Sequence, residues 1–253
     1  MKAPLPGIPI LRTAVIAGRT LLDIVYPSLC FLCERRLPLD ERYICPECDR
    51  DLHPIGDADP LYKEERRRVM ENGVLDDFLA CYVFEKHKGM QNVIHAVKYQ
   101  GCKELGVELG RRLGKVLEEH DIHTDHIVPL PLHPARLRER GYNQAEYIAR
   151  GIAEVLSAPV RNDLLKRVRN TRSQTALTKE ERSKNMKNAF SLASDKIDLE
   201  DRSVLLVDDL VTTGATLRSA AREIWKAKPY GVFGVSVAIA GWGHSKTNDP
   251  GEA

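Results

Sequence analysis

The 253-residue sequence lacks a long apolar run, an excess of either charge and a high content of aromatic residues. No apolar stretch approaches the roughly 18–20 residues of a membrane-spanning helix, so we expect no stable membrane insertion. The 38 lysines and arginines nearly balance the 36 aspartates and glutamates, which excludes a uniformly basic coat for nucleic acid. Aromatic residues make up only 6%, so few rings are available to stack on nucleobases. The remaining composition is typical of a globular protein with one or two domains.

The N-terminal segment also lacks the pattern of a secretory signal. Residues 8–25 are rich in apolar residues, but Arg12, Arg19 and Asp23 interrupt them. No continuous core of about 7–15 apolar residues precedes a cleavage site rich in small residues. We therefore expect a cytoplasmic protein in which this segment forms a short helix packed on its own domain. Contact of that helix with a membrane surface is the alternative interpretation.

Six cysteines are present, and four of them form two C-x2-C pairs separated by eleven residues. Each pair can direct two thiolates at one ion from a tight turn, and four thiolates suit tetrahedral Zn²⁺. A closed shell of four thiolates leaves no open coordination position, so the expected role is structural. Two disulfides are the alternative, which the missing secretory signal disfavours. The predicted zinc ligands are Cys30, Cys33, Cys45 and Cys48, and we interpret Cys81 and Cys102 as ordinary thiols.

The pattern along the chain predicts two folded regions joined by a linker. Residues 1–55 contain the N-terminal helix and the zinc ribbon, and residues 246–253 form a polar, flexible tail. Residues 56–76 are interpreted as a linker, in which the charged run Lys63–Glu71 forms a solvated helix. Between residues 77 and 245, predicted strands and helices alternate, which indicates an α/β domain with a mainly parallel sheet flanked by helices. The predicted strands are 79–84, 127–132, 204–207 and 232–240, and the predicted helices are 90–98, 104–119, 143–156 and 216–226.

Residues 204–216 carry the clearest chemical pattern. An apolar strand is followed by Asp208 and Asp209, then by a loop of small and hydroxyl-bearing residues, then by a predicted helix. Ligands of open α/β sheets bind at the carboxyl ends of the strands, and the N–H groups of such a loop attract phosphate. Adjacent carboxylates can accept hydrogen bonds from neighbouring sugar hydroxyls. The segment therefore predicts a ribose 5-phosphate site, and it lacks the G-x4-G-K-[ST] pattern of a Walker A loop.

This segment resembles the signature by which type I phosphoribosyltransferases bind 5-phosphoribosyl 1-diphosphate (PRPP). Further motifs follow the four-cysteine ribbon along the chain: His95–Tyr99, Val128–Pro134, Arg140–Gln144, Ser173–Thr175 and Arg182. In this order, the ribbon and the motifs resemble the ComF family, whose members are competence-protein-F-like homologues of these enzymes. The resemblance runs from about Pro27 to Ala240, and one departure from the family pattern is visible, in the turn Lys226–Pro229.

The resemblance implies that Asp208 and Asp209 hold the ribose hydroxyls and that the loop after them binds the 5-phosphate. Mg²⁺ would accompany PRPP, held chiefly by oxygens of the ligand and by water. Catalysis would rest on positioning and charge stabilisation, so no catalytic residue or covalent nucleophile is assigned. The implied loop residues are Val211, Thr212, Thr213, Gly214, Ala215 and Thr216, and the candidates for a pyrophosphate loop or a covering hood are Arg140, Asn143, Gln144, Arg167 and Gln174.

The basic segment Lys166–Asn188 leaves two interpretations open. It contains eight lysines and arginines against two glutamates, a balance of +6. It would serve as the hood of an enzyme, or as a groove that follows the phosphates of single-stranded DNA. Because the ComF family is linked to DNA uptake in natural transformation, the second interpretation is a non-catalytic competence factor that bridges uptake-machinery proteins. A phosphoribosyltransferase fold without turnover is a third. No motif identifies the acceptor.

Overall fold

The computed structural model describes residues 28–37, 41, 43–52, 54–84, 89–168 and 189–240. The chain divides into two units, Met1–Leu52 and His53–Ala253. In the first unit, an antiparallel bridge joins Leu29 and Arg36, and a short helix, α1 (Pro46–Asp51), follows. The predicted helix within 8–25, the tail 246–253 and Gln174 lie outside the described residues. Within the described ranges, none of the helices combines the length and the apolar character needed to cross a membrane.

In its described residues, the second unit contains a four-stranded parallel sheet and a separate antiparallel pair. The strands are β1 (Asp77–Val83), β2 (His126–Pro129), β3 (Leu165–Arg167), β4 (Phe190–Leu192), β5 (Ser203–Val211) and β6 (Gly231–Ile239). The parallel sheet has the order β1-β6-β5-β2, and β3 pairs with β4. The predicted parallel sheet is therefore confirmed.

Helices cover both faces of the parallel sheet. They are α2 (Pro60–Val69), α3 (Met90–Tyr99), α4 (Lys103–Glu119), α5 (Pro134–Arg140), α6 (Gln144–Leu156) and α7 (Ala215–Ile224). Val204 and Leu206 of β5 share a buried cluster with Leu217 and Ile224 of α7. Side chains of a strand alternate between faces, so the buried residues Leu205 and Val207 face the other side. There α6 contacts β2 and β5, and α4 contacts β1 and β6.

Glycines let α4 and α6 pack with their backbones in close contact. A Cβ on Gly110 would lie 2.0 Å from the carbonyl oxygen of Ile148, and one on Gly151 would lie 2.0 Å from that of Val107. No side chain larger than hydrogen fits at either position. The close contact fixes α6, whose first turn reaches the carboxyl end of the sheet.

The structure corrects two boundaries that the sequence pattern predicted. Strand β5 continues through Val211 instead of ending at residue 207, because its backbone keeps pairing with β6 as far as Val211↔Ile239. The range 56–76, predicted as a linker, contains α2, and Tyr62 and Val69 of this helix are buried in the core. The charged residues of α2 hide this narrow apolar stripe in the sequence.

Candidate functional site

Two adjacent carboxylates, Asp208 and Asp209, lie near the carboxyl end of β5. Asp209 is only 3% exposed, whereas Asp208 is half-buried. Nε2 of Gln144, at the start of α6, donates a hydrogen bond to Oδ1 of Asp209 at 2.9 Å. Nζ of Lys98, in the last turn of α3, lies 2.6 Å from Oδ2 of Asp209. Two other elements therefore fix the two oxygens of Asp209.

The electrostatics of this pair differ between its two members. Burial alone would raise the pKa of Asp209, but the charge of Lys98 and the hydrogen bonds from Lys98 and Gln144 outweigh it and lower that pKa. Burial, together with the negative charge of Asp209, raises the pKa of Asp208 to about 8. Burial alone would lower the pKa of Lys98, but the carboxylate of Asp209 outweighs burial and raises the pKa of Lys98. Near neutral pH, the site therefore combines an ionised Lys98–Asp209 pair with a largely protonated Asp208.

Three of the predicted pyrophosphate or hood candidates lie around this pair. Besides binding Asp209, Gln144 accepts a hydrogen bond from Arg140 through its Oε1 atom. Nδ2 of Asn143 donates to the carbonyl oxygen of Leu130 at 3.1 Å, which ties the start of α6 to the end of β2. Oδ1 of Asn143 also caps α6 by accepting from the N–H of Ala145. Asn143 therefore holds the start of α6 in place, whereas Gln144 contacts Asp209 directly and Arg140 contacts Gln144.

Arg167, the fourth candidate, lies at the end of β3 on the side of Asp208. It is half-buried, and its guanidinium lies 5.3 Å from the ring centroid of Phe190. Burial lowers the pKa of Arg167, while the charge of Asp208 opposes that shift and the charge of Arg136 adds to it. Arg140 is therefore linked to Asp209 through Gln144, and Arg167 lies close enough to Asp208 for their charges to interact.

The predicted phosphate loop surrounds one pocket, which Asp208 and residues 210–217 line. Gly214 precedes α7 with φ +68°, and a Cβ on it would lie 2.9 Å from Cα of Val69 in α2. Oγ1 of Thr213 accepts a hydrogen bond from the N–H of Ala215 at 3.3 Å. The N-terminal end of α7, which carries a partial positive charge, therefore lies at this pocket beside Asp208.

Lys98 is the site residue that the sequence interpretation missed. It belongs to the motif His95–Tyr99, but an isolated lysine in a helical segment carries no signal of its own. Lys98 is positioned by the last turn of α3. The hydroxyl of Tyr142 holds this turn by donating to the carbonyl oxygen of Val97 at 2.5 Å.

The four predicted zinc ligands lie together in the first unit. Their sulfur atoms are all within 4.8 Å of one another, and those of Cys33 and Cys45 are 3.7 Å apart. Zinc–sulfur bonds of about 2.3 Å in a tetrahedron separate the sulfurs by roughly 3.8 Å, so the cluster fits Zn²⁺. The N–H of Cys45 also donates to Sγ of Cys30 at 3.3 Å. All four are free cysteines, which contradicts the disulfide alternative.

Comparison with known proteins agrees with this architecture. A family model described as "Phosphoribosyl transferase domain" matches residues 142–243, the range that includes β5, its loop and α7. Competence protein F of Haemophilus influenzae is 42% identical over 100 residues, which cover 40% of this chain and 44% of that protein. DNA utilization protein YhgH of Escherichia coli is 28% identical over 79% of this chain and 91% of its own length. Competence protein ComFC of Bacillus subtilis is 28% identical over 77% of both chains.

Proposed function

We propose that residues 208–216 bind PRPP together with Mg²⁺. The chain belongs to the ComF family of type I phosphoribosyltransferase-like proteins. We further propose that the bound phosphoribosyl group is transferred to an acceptor. One observation carries the proposal: the carboxylate pair and the phosphate-loop pocket lie together at the carboxyl end of β5. Sugar hydroxyls would bind to Asp208 and Asp209, and the 5-phosphate to the loop and the first turn of α7.

The charges of the site suit a ligand that brings a divalent cation. Burial, together with the charge of Asp209, raises the pKa of Asp208, so a cation that approaches this carboxyl group would lower that pKa again. Mg²⁺ prefers oxygen ligands and is commonly held through substrate phosphates and water, so this carboxylate-rich pocket fits a Mg²⁺–diphosphate ligand. When bound, Mg²⁺ would neutralise charge on the diphosphate. Its approach would also favour the ionised form of Asp208.

The residues of the site would act by positioning and by charge. As the bond between C1 of the ribose and the pyrophosphate breaks, positive charge develops on the sugar. The carboxylate of Asp209 would stabilise that charge without reorganisation, because Lys98 and Gln144 already hold it. Asp208 would add to this stabilisation in its ionised form. Arg140 would attract the departing pyrophosphate. The acceptor would supply the electron pair that forms the new bond at C1.

Calorimetric titration with PRPP, with and without Mg²⁺, tests the binding site. We expect Mg²⁺-dependent binding that weakens at least tenfold, about 1.4 kcal/mol, in the double variant Asp208→Asn/Asp209→Asn. The matched control is Asp163→Asn, which removes an exposed carboxylate that pairs with Arg161. Equal affinity of the double variant and the control would contradict the proposal. Once PRPP binding is established, pyrophosphate release in the presence of candidate acceptors tests transfer of the phosphoribosyl group.

Single-stranded DNA binding is a second candidate, favoured by a surface of aromatic and basic residues. The Arg140 guanidinium lies 4.8 Å from the ring centroid of Tyr99, which is 62% exposed. The Arg150 guanidinium lies 4.8 Å from the ring centroid of Tyr147. Such rings and cations bind single strands, and the relatives are named competence and DNA utilization proteins. Tyr142 offers no comparable platform, because it is only 8% exposed.

Fluorescence anisotropy with a labelled oligothymidine at two salt concentrations tests this candidate. We expect the double variant Tyr99→Ala/Tyr147→Ala to bind at least tenfold more weakly, about 1.4 kcal/mol. The exposed ring of Tyr99 would be lost for stacking, and the ring of Tyr147 would no longer hold the cations of Lys103 and Arg150. The control is Tyr230→Ala, which removes an 81% exposed ring just before β6. Unchanged affinity in the double variant would rule out this surface. Bridging of uptake proteins would be tested next with the same variants.

For the first unit, we propose a structural Zn²⁺ bound by the four clustered cysteines. The 3.7 Å separation between the sulfurs of Cys33 and Cys45, close to that of a tetrahedral zinc site, and the clustering of all four sulfurs within 4.8 Å support this proposal. The ion would hold the two C-x2-C turns together in a unit too small to bury a sizeable apolar core. Metal analysis of the purified protein should find about one zinc ion per chain, and its absence from folded protein would contradict the proposal.

A further inference from the structure

We propose that Lys98 is a positioning residue that holds the carboxylate of Asp209 in the orientation in which it accepts hydrogen bonds from the ribose hydroxyls. The identity of the ligand rests on the proposed function, but the role of Lys98 rests on the geometry of the site. Nζ of Lys98 lies 2.6 Å from Oδ2 of Asp209, and the two side chains are 22% and 4% exposed. A pair that is this close and this shielded from water restricts the carboxylate strongly.

The elements around Lys98 are tied to one another. Tyr142, which lies just before α6, bonds to the backbone of Val97 and so fixes the turn that carries Lys98. Two residues later, Gln144 donates to the other oxygen of Asp209. The two contacts with Asp209 therefore come from neighbouring segments that are bonded together. A rotation of the carboxylate would break both contacts at once.

The described charges around the pair show why a cation is needed at this position. Asp208 adds a second carboxylate from the same strand. Arg140 of α5 binds Oε1 of Gln144, and Arg167 of β3 lies on the side of Asp208. Among the described residues, Lys98 is the one that forms an ion pair with Asp209. Without its ammonium, two neighbouring carboxylates would compete for one proton, and Asp209 would be held by a single hydrogen bond.

The test compares the neutral variant Lys98→Met with the conservative variant Lys98→Arg and with Lys115→Met, an exposed position on α4. Calorimetry with PRPP and Mg²⁺ should show at least tenfold weaker binding for Lys98→Met, less than threefold weaker binding for Lys98→Arg, and no change for Lys115→Met. If Lys98→Met does not fold, Lys98→Gln takes its place with the same expectation.

A second measurement needs no ligand and separates positioning from a merely structural role. The carbonyl-carbon NMR signal of the Asp209 side chain, assigned with Asp209→Asn, is followed as a function of pH. We expect its titration midpoint to rise in Lys98→Met and to return towards the wild-type value in Lys98→Arg. General loosening of the fold would lower the unfolding midpoint of Lys98→Met without this selective rise and rescue.

The two measurements distinguish failure of this inference from failure of the proposed function. Normal PRPP binding by Lys98→Met, with an unchanged titration of Asp209, would overturn the role of Lys98 and leave the proposed function standing. Absence of PRPP binding by the wild-type protein would overturn the proposed function. In that case the Asp209 titration decides alone: a raised midpoint in Lys98→Met supports the role of Lys98, and an unchanged midpoint overturns it.

Discussion

The substitutions Asp208→Asn and Asp209→Asn should change stability in opposite directions, although they alter adjacent residues in the same isosteric way. In the unliganded protein, Asp208 lies beside another carboxylate, and its pKa is raised to about 8. Asp209 instead pairs with Lys98, and its pKa is lowered. Asp208→Asn removes the cost of protonating this carboxyl group, or of burying its charge, when the protein folds at pH 7, whereas Asp209→Asn leaves a largely buried ammonium without its counterion.

The magnitude for Asp208 follows from linkage between proton binding and folding. A carboxyl group with a raised pKa stabilises the fold fully below its ordinary value of 3.8, and this contribution is lost as the pH rises towards 8. From pH 3.8 to pH 7, a loss of about 1.36 kcal/mol per pH unit sums to a ceiling of roughly 4 kcal/mol. Because Asp208 is only half-buried and water screens it, we expect Asp208→Asn to gain about 1–2 kcal/mol at pH 7.

The magnitude for Asp209 follows from the broken ion pair. Removing one partner of a buried pair typically costs about 3–5 kcal/mol. Lys98 keeps 22% of its side chain exposed, so water recovers part of its charge when Asp209 is lost. We expect Asp209→Asn to lower the free energy of unfolding by about 2–3 kcal/mol at pH 7.

Urea denaturation of the metal-loaded protein at pH 7 and pH 5 measures both changes. At pH 5 the gain from Asp208→Asn should shrink to about a third, because 1.2 of the 3.2 pH units remain above the ordinary pKa of 3.8. The loss from Asp209→Asn should persist at pH 5, since its lowered pKa lies below that value. A loss of stability in both variants at pH 7, or a gain from Asp208→Asn that does not depend on pH, would refute this electrostatic description.

Three further predictions test packing, the loop and the metal. Gly110→Ala should lower the free energy of unfolding, measured in urea, by about 2–4 kcal/mol because the new Cβ would lie 2.0 Å from the Ile148 carbonyl oxygen. Helix propensity alone predicts the opposite, an increase of about 1 kcal/mol. Gly214→Ala should weaken PRPP binding at least tenfold in calorimetry, or about 1.4 kcal/mol, because Gly214 has a φ of +68° and a Cβ there would lie against Val69. Unchanged affinity would show that the ligand does not bind to this loop. Chelation of zinc should abolish the hydrogen-exchange protection of residues 28–52 and leave that of β5 and β6 intact, and equal loss in both units would contradict a local structural role.

Local patterns were sufficient to predict most helices and the clustering of four cysteines. The spacing of Leu105, Leu109 and Leu113 places one apolar stripe on α4, and all three side chains are buried as expected. The C-x2-C spacing brings four sulfurs within 4.8 Å of one another. In both cases the interacting residues are close in sequence, so their spacing determines their geometry.

Contacts between distant segments could not be predicted in the same way. Lys98 and Asp209 are more than a hundred residues apart, and they meet because the order β1-β6-β5-β2 places β5 in the centre of the sheet. The same order explains why β5 continues past residue 207: pairing with β6 compensates the weak strand preference of two aspartates. No local pattern in a single sequence predicts the ion pair of Lys98 with Asp209 or the pairing of β5 with β6.

The segment interpreted as a linker shows how much the phosphate loop depends on a distant element. Tyr62 and Val69 are seven residues apart, two turns of a helix, and this stripe is too narrow to stand out among the charged residues of α2. Nη1 of Arg218 in α7 donates to the carbonyl oxygens of Arg68 and Val69, so the end of α2 packs against the start of α7. The same end of α2 leaves no space for a side chain at Gly214. The conformation of the loop at residues 212–216 therefore depends on its own glycine together with a helix about 145 residues earlier, and α2 supports a pocket that residues of β5, the loop and α7 line.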